Sequence, residues 1–508
     1  MSRFNLIDEK WIPVRFPDGT RQELGISEVL LRSQEIAEIE DPSPLVVAAL
    51  HRFLLALLYR ALEGPTDIDQ AKVLFNEGLP GNRITAYLEK WRDRFWLFDE
   101  KYPFAQNPNV SEDEIEPWTK LTAEYNSTSN KVLFDHTNTQ IPGAREPAAC
   151  ARWLVSTMTF SISGGRGYYP SPSPNAMICV PLGRSLHESL CFCLVPYPNS
   201  EVMRGDSALW ERNPKALPLG GGRLMASGYA DLYTWQSRMV FLEELPPGNV
   251  AFVRFIAGLA FQSSSSSPDP MQPHEISKAK GKLPVQFRED RGTWRDFDSL
   301  LPDNARLAPL TIQHALRLAG GKGGKMPEAV LVLGLKYKPP NANVDFWRME
   351  RFVLPGALAG DKVSRSSIRD LLDVAEDAGL SLRSSIWNYQ RNALIRCDRE
   401  TRKEERKFLR KMVDAAAPLS QYWHTLESHF HDILHAIAAE HDSDDVRRLW
   451  LQSVRDALSG AWRGYANSVF VGDAWVIRAL VKAEGPVLRK LKTLSDEIAK
   501  LAPQKEVA

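Results

Sequence analysis

The stretch Thr159–Asn175 reads TFSISGGRGYYPSPSPN. Gly164, Gly165 and Gly167 lack a Cβ, so their backbone can take positive φ and lie against another surface. Successive N–H groups in such a turn can hold an anion. The stretch lacks the GK[ST] ending of a P-loop, and no helix follows at the spacing of a dinucleotide fingerprint. The competing reading is a structural turn whose exit is stiffened by a Pro-Ser ladder. A second candidate is PPNAN, Pro339–Asn343. The Asn341 amide can donate and accept at base edges, Pro339 and Pro340 stiffen the approach, and Lys336 and Lys338 flank it. Such a tip could wedge a base step, or be an ordinary exposed turn. A third is RETRKEERKFLRK, Arg399–Lys411. Arg399, Arg402, Arg406 and Arg410 share one helical face. That face is a track for phosphates, or a solvated surface on which Glu400, Glu404 and Glu405 pair.

The histidines gather in WHTLESHFHDILHAIAAEHD. His431-Asp432, with His435 one turn on and His441 and Asp442 beyond, could begin the ligand set of an HD-type metal phosphohydrolase. The other reading is the surface of an amphipathic helix. No HExxH and no nucleophile elbow is present. The five cysteines, Cys150, Cys179, Cys191, Cys193 and Cys397, include no CxxC pair, so no zinc ribbon or thioredoxin-like site is expected.

These stretches need elements to hold them. FNLIDEKWIPVRFPDGTRQEL predicts a hairpin, with apolar runs at Asn5–Ile7 and Trp11–Phe16 and a turn at Pro17-Asp18-Gly19. Helices are predicted over Pro44–Leu62, with Ser43 as N-cap, and over Asp67–Glu77, Asn82–Phe95 and Ala148–Thr159. Tyr102–Ala148 loses periodicity and reads as a long loop around Val132–Phe134. SSSSSPDPMQP reads as a Ser/Pro linker, LPVQFRED as strand-like and TIQHALRLAGG as a helix. Ala329–Lys338 and VDFWRMERFVL read as the strands of a hairpin tipped by PPNAN. After Lys362 glycine and proline thin out, and helices are predicted over Ser364–Ala378, Ser381–Val413, Gln421–Glu440, Ser443–Arg463 and Asp473–Leu501. The fold class is therefore α+β: a large irregular mixed domain over 1–362, then a helical, four-helix bundle over 363–508.

Size and charge narrow the field. A chain of 508 residues with 44% hydrophobic and 25% charged content has the composition of a globular protein. Its 63 basic and 63 acidic residues cancel, which argues against a free-standing non-specific nucleic-acid binder and leaves local basic patches open. Leu45–Leu62 is interrupted by His51, Arg52 and Arg60 and reads as a buried helix, not a membrane span. The odd cysteine count and a start, MSRFNLIDEKW, without a signal-peptide pattern lead us to expect a reducing cytoplasm.

FNLIDEKWIPV, KYPFAQ (Lys101–Gln106), the glycine loop, PPNAN and the carboxy-terminal helices occur in one order. In that order the chain resembles the CasA family, the large subunit of the type I-E CRISPR Cascade complex. NLID-x-x-WIPV carries most of the likeness, which covers most of the chain. The resemblance implies a non-catalytic subunit of an RNA-guided antiviral surveillance complex. Guide RNA reads the target, while the protein reads a short flanking motif, the PAM, in duplex DNA. A glycine loop, a lysine and a wedging hairpin act from the minor groove, the helical bundle helps hold the displaced strand, and a separate helicase-nuclease is recruited. The implied partners are double-stranded target DNA, CRISPR RNA, the other Cascade subunits and that helicase-nuclease, with no membrane and no cofactor.

Carried over by residue, the glycine loop is Ser163-Gly164-Gly165, with Gly164 the contacting glycine. The wedge is Asn341, with Ala342 and Asn343 beside it and Lys338 at its base. The family's common wedge residue is glutamine, one methylene longer. A loop over Lys131–Ala148 meets nucleic acid through Lys131 and through Leu133 or Phe134. No lysine stands in Phe255–Gln262. Arg166, Arg254 and the basic KAKGK (Lys278–Lys282) are the candidate substitutes. Some relatives carry a cysteine cluster suited to zinc; this chain lacks it, so no metal is expected.

Overall fold

The computed structural model describes residues 4–125, 138, 140–164, 167–213, 217, 222–246, 248–262, 268–277, 281–289, 291–301, 306–320, 326–339, 343–354, 365–394, 402–469 and 473–501. It has the mixed helix-and-strand class expected, with helices filling the carboxy-terminal part. The chain divides into two compact units. The first comprises 1–293 with 299–352, and the second 294–298 with 353–508.

The first unit is built around the helix Pro44–Leu62. The Ser43 hydroxyl accepts from the Val46 N–H, Pro44 opens the first turn, and nearly every side chain is buried. The helix is long and apolar enough to cross a membrane, but its burial on all faces makes it a core helix. The amino-terminal hairpin pairs Ile12–Arg15 with Arg21–Leu24 around Pro17-Asp18-Gly19. Asn5–Ile7 is not an arm of it, contrary to the apolar-run reading. Those residues form a buried turn, in which the Asn5 Oδ1 accepts from the Ile7 N–H at 3.0 Å and its Nδ2 donates to the Arg92 carbonyl at 3.2 Å. Trp11 is fully buried and donates from Nε1 to the Leu6 carbonyl at 2.9 Å.

Within Tyr102–Ala148 the sequence reading missed a strand. Ile115–Pro117 pairs with Asn249–Ala257, which also pairs with Arg238–Leu245. The Val132–Phe134 segment lies outside the described residues. The Ser/Pro linker is only partly that. Its serines are not described, but Asp269 receives a 2.6 Å ion pair from Arg52 and Met271 is fully buried. A buried arginine needs a buried carboxylate, and this requirement pulls the segment into the core.

Ala329–Lys338 is the central strand of a three-stranded sheet, flanked by Asn343–Val353 and Ile178–Leu182. The predicted hairpin arms are thus present; Pro340, Asn341 and Ala342 lie outside the described residues.

In the second unit the break expected near Gly379 is absent: one helix runs Arg365–Leu394. A Cβ at Gly379 would stand 2.4 Å from the Trp423 ring, so this glycine admits a neighbouring indole and does not end a helix. The stretch read as Ser381–Val413 holds the end of that helix and a separate one, Lys403–Asp414. Ala417–Ala438 and Ser443–Ser468 follow. The last predicted helix is two, Ala474–Ala483 and Gly485–Lys500, because Pro486 has no N–H to continue the ladder. Trp294 lies 5.3 Å from Phe430 and 6.2 Å from Trp450 by ring centroids.

Candidate nucleic-acid interface

The helix Pro147–Phe160 ends where the glycine loop begins. The loop's neck is closed by the chain itself. The Ser171 N–H donates to the Ser161 carbonyl at 2.8 Å, and the Ser171 hydroxyl donates to the Thr159 carbonyl. Beneath the neck sits Arg238, 6% exposed, at the start of its strand. Its guanidinium donates to the Tyr169 and Ser237 carbonyls at 2.6 Å each, and also to the Ile162 carbonyl. The two sides of the loop are thereby tied to one planar donor fork. The guanidinium also lies 5.0 Å from the Tyr168 ring, which stacks on Phe255 at 6.2 Å. Burial pulls the Arg238 pKa down to about 10, so it stays cationic at neutral pH.

Ser163 stands just past this anchor. Its hydroxyl lies 3.0 Å from the hydroxyl of Tyr337, on the central strand that leads to PPNAN. The same tyrosine is held through its backbone by Asn175, whose Oδ1 accepts from the Tyr337 N–H at 2.8 Å and whose Nδ2 donates to its carbonyl at 3.3 Å. Ser171 and Ser173 are buried, and the Ser173 hydroxyl donates to Asp269 at 2.9 Å. Gly167 takes φ +88 with open space where a Cβ would stand, so its constraint is conformational. Gly165 and Arg166 lie outside the described residues.

Lys338 is exposed and pairs with Asp345 across the hairpin at 3.1 Å. Lys336 donates to the Gln286 side chain at 2.8 Å, and partial burial lowers its pKa. Asn343 begins the returning strand. Of the candidate substitutes for the family's lysine, Arg254 is committed elsewhere. It pairs with Glu243 and, at 3.5 Å, with Glu112, donates to the Val110 carbonyl and covers the Phe241 ring. Lys282 is exposed on the strand Gly281–Pro284. Lys278 and Lys280 are not described, and neither are Lys131, Leu133 and Phe134.

The basic helix begins at Lys403, so Arg402 is its extended N-cap and does not share the helical face expected for it with Arg406 and Arg410; all three are exposed, and Leu409 and Val413 are buried. Glu405 accepts from the Arg402 N–H at 2.8 Å and so caps the helix. Arg399 lies outside the described residues. The histidine cluster does not assemble as a ligand set. Asp432 is exposed and faces His429 at 3.9 Å, His435 is exposed, and Asp442 caps the next helix. Among the described residues no three His, Cys, Asp or Glu side chains gather where they could hold a metal.

Sequence reasoning missed Arg238, Tyr337 and Asn175 as the parts that hold the loop to the hairpin. An arginine opening the apolar run MVFL was the one local signal for Arg238.

The chain is a CRISPR-associated protein: it matches the family described as CRISPR-associated protein Cse1 over residues 5–461. It is 32% identical over 510 aligned residues to CasA/Cse1 of Thermus thermophilus, covering 98% of this chain and 99% of that one. The crystal structure of Thermus thermophilus CasA superposes with a TM-score of 0.81 at 29% identity, over 97% of this chain and all (100%) of that one. A chain from a structure described as a CRISPR RNA-guided surveillance complex shares the fold, with a TM-score of 0.75 at 19% identity over 96% of this chain and 100% of that one. The protein belongs to the CasA/Cse1 family, as NLID-x-x-WIPV led us to expect.

Proposed function

We propose that the protein is the non-catalytic large subunit of an RNA-guided DNA surveillance complex and recognises the PAM from the minor groove. The observation that carries this reading is the direct tie between the glycine loop and the hairpin arm, Ser163 to Tyr337. Two short elements that must meet one duplex need a fixed spacing, and this contact sets it. Gly164 and Gly165 bring backbone close to the groove, Arg166 or Lys282 supplies positive charge, and Asn341, flanked by Ala342 and Asn343, wedges the duplex open. Lys131, Leu133 and Phe134 meet nucleic acid from the preceding loop. Arg399, Arg402, Arg406 and Arg410 help hold the displaced strand. The chain works in the cytoplasm with CRISPR RNA, the other Cascade subunits and a recruited helicase-nuclease. Minor-groove readout separates A·T from T·A poorly, so a relaxed set of PAM sequences follows.

The test uses complex reconstituted with Gly164→Asp, or with Asn341→Ala and Ala342→Asp together. The first change should weaken binding to PAM-containing duplex. The second should slow target opening while leaving assembly with guide RNA intact. Wild-type binding by the first and wild-type opening by the second would overturn the reading.

A further inference from the structure

A small cavity of about 20 Å³ opens beside the KYPFAQ segment, with room for one water-sized particle. Arg94, Tyr102, Ala105, Gln106, Arg212 and Gln236 line it, and no carboxylate is among the described lining residues. Arg94 closes the short 3-10 turn Arg92–Arg94, and its guanidinium lies 3.7 Å from the centre of the Tyr102 ring. Among the described residues that guanidinium makes one hydrogen bond, to the Arg212 carbonyl at 3.5 Å, which is the outer limit for such a bond. The carboxylates that adjoin Arg212 are taken. Asp231 pairs with Arg212 itself at 2.8 Å, and Glu211, its neighbour in the chain, pairs with Arg60 at 2.7 Å. The amides on the wall are engaged as well. Gln106 donates from Nε2 to the Leu97 carbonyl at 2.7 Å and accepts at Oε1 from the Leu242 N–H at 2.8 Å, while the Gln236 Nε2 donates to the Ala105 carbonyl at 3.4 Å. A guanidinium carries several N–H donors, so the cavity holds a surplus of them. A water there would need acceptors for its own protons; an anion needs donors alone.

We propose that this cavity is a binding site for one halide-sized anion, of which chloride is the physiological example. Arg94 supplies the hydrogen bonds. Arg212, whose guanidinium is engaged by Asp231 and Ser207, contributes charge. Two guanidiniums against the one carboxylate of Asp231 leave a positive charge to be met, and charge-assisted bonds are the strong ones. Size selects the occupant, because a tetrahedral oxyanion or a carboxylate group exceeds room for one water-sized particle. The site also has something to hold. Ala105 takes φ +57, a left-handed conformation that a non-glycine residue keeps where its surroundings fix it. An anion on Arg94 ties the Tyr102–Gln106 turn to the segment at Arg212. The proposal goes beyond nucleic-acid recognition and does not rest on it.

The test soaks crystals of the full chain in sodium bromide for anomalous diffraction, and follows Tm as chloride replaces sulfate at constant ionic strength. In wild type an anomalous peak should stand within hydrogen-bond reach of the Arg94 guanidinium. In Arg94→Met that peak should be lost while bromide peaks elsewhere remain. In solution, the Tm of wild type should rise relative to that of Arg94→Met as chloride increases, along the saturating curve of a single site. A wild-type map with no peak at Arg94 overturns the proposal. So does a peak that persists in Arg94→Met, which marks an adventitious ion only. Parallel Tm curves, or a difference that grows without saturating, mark general salt effects and overturn it as well. If Arg94→Met does not fold, the wild-type bromide map decides by itself. Failure here leaves the PAM reading standing, and a failed Gly164→Asp test leaves this site standing.

Discussion

The side-chain hydroxyls of Ser163 and Tyr337 lie 3.0 Å apart and join elements 174 residues distant in the chain. Tyr337 is 2% exposed, so its hydroxyl has little recourse to water. Tyr337→Phe should cost about 1 kcal/mol in chemical denaturation, the ordinary net worth of one hydrogen bond. Ser163→Ala should cost a similar amount, and the double variant little more than either alone. A fully additive double variant would show that the two hydroxyls do not interact.

Arg238 is the anchor of the glycine loop, and its replacement should be more damaging. Arg238→Met leaves the Ile162 and Tyr169 carbonyls without their donor, at about 2–4 kcal/mol of stability. Arg238→Lys keeps the charge but reaches fewer acceptors, so it should restore only part of the loss. Equal stability of the lysine variant and wild type in urea titration would show that charge alone matters. In reconstituted complex, both variants should weaken PAM-duplex binding through the displaced loop.

The motif that carries the family likeness acts through packing. A Cβ on Gly25 would stand 2.5 Å from the Ile7 carbonyl oxygen and 2.9 Å from the Asp8 carbonyl carbon. Gly25→Ala therefore forces the NLID turn away from its seat, at about 1–3 kcal/mol. Calorimetry should show a lower Tm. An unchanged Tm would mean that the turn relaxes freely.

A buried histidine sets an acid-side slope. His314 is 3% exposed, its Nε2 has no partner among the described residues, and burial pulls its pKa from 6.5 down to about 4. Between those values the unfolded chain holds the proton and the folded chain does not, so stability falls as pH falls. The slope approaches about 1.4 kcal/mol per pH unit for this one group. Burial moves His51 and His274 the same way. Asp41 and Glu124, raised by burial, oppose the slope only where carboxylates titrate. Tm measured from neutral pH down to about 5 should therefore fall in wild type and fall less steeply in His314→Gln. Parallel curves would remove His314 from the account.

Much of the local structure was legible because local rules decided it. The helix Pro44–Leu62 has its bounds written in Ser43, Pro44 and a long, mostly apolar run, and the strand Ala329–Lys338 in a β-branched and apolar run. The family too was legible, since NLID-x-x-WIPV is a short segment whose residues pack against one another. The glycine loop and the hairpin were found as separate stretches of unusual composition.

What joins them was not legible. Arg238, Tyr337 and Asn175 act on residues tens to well over a hundred positions away, and apart from the apolar run that Arg238 opens, nothing in their own neighbourhoods marks them. Gly379 reads as a helix breaker, yet it sits inside a helix because a tryptophan 44 residues on needs its space. Trp294 and Arg295 belong to the carboxy-terminal unit through the Phe430 ring and the Glu376 carboxylate. By itself the sequence determined the elements, the family and the candidate loops, because propensity, capping and hydrophobic period act over a few residues. The tertiary structure alone decided which buried polar groups found partners, because a desolvated donor or acceptor is satisfied by whatever the fold brings within hydrogen-bond reach. That is why the spacing between the loop at Ser163 and the hairpin arm at Tyr337 appears only in three dimensions.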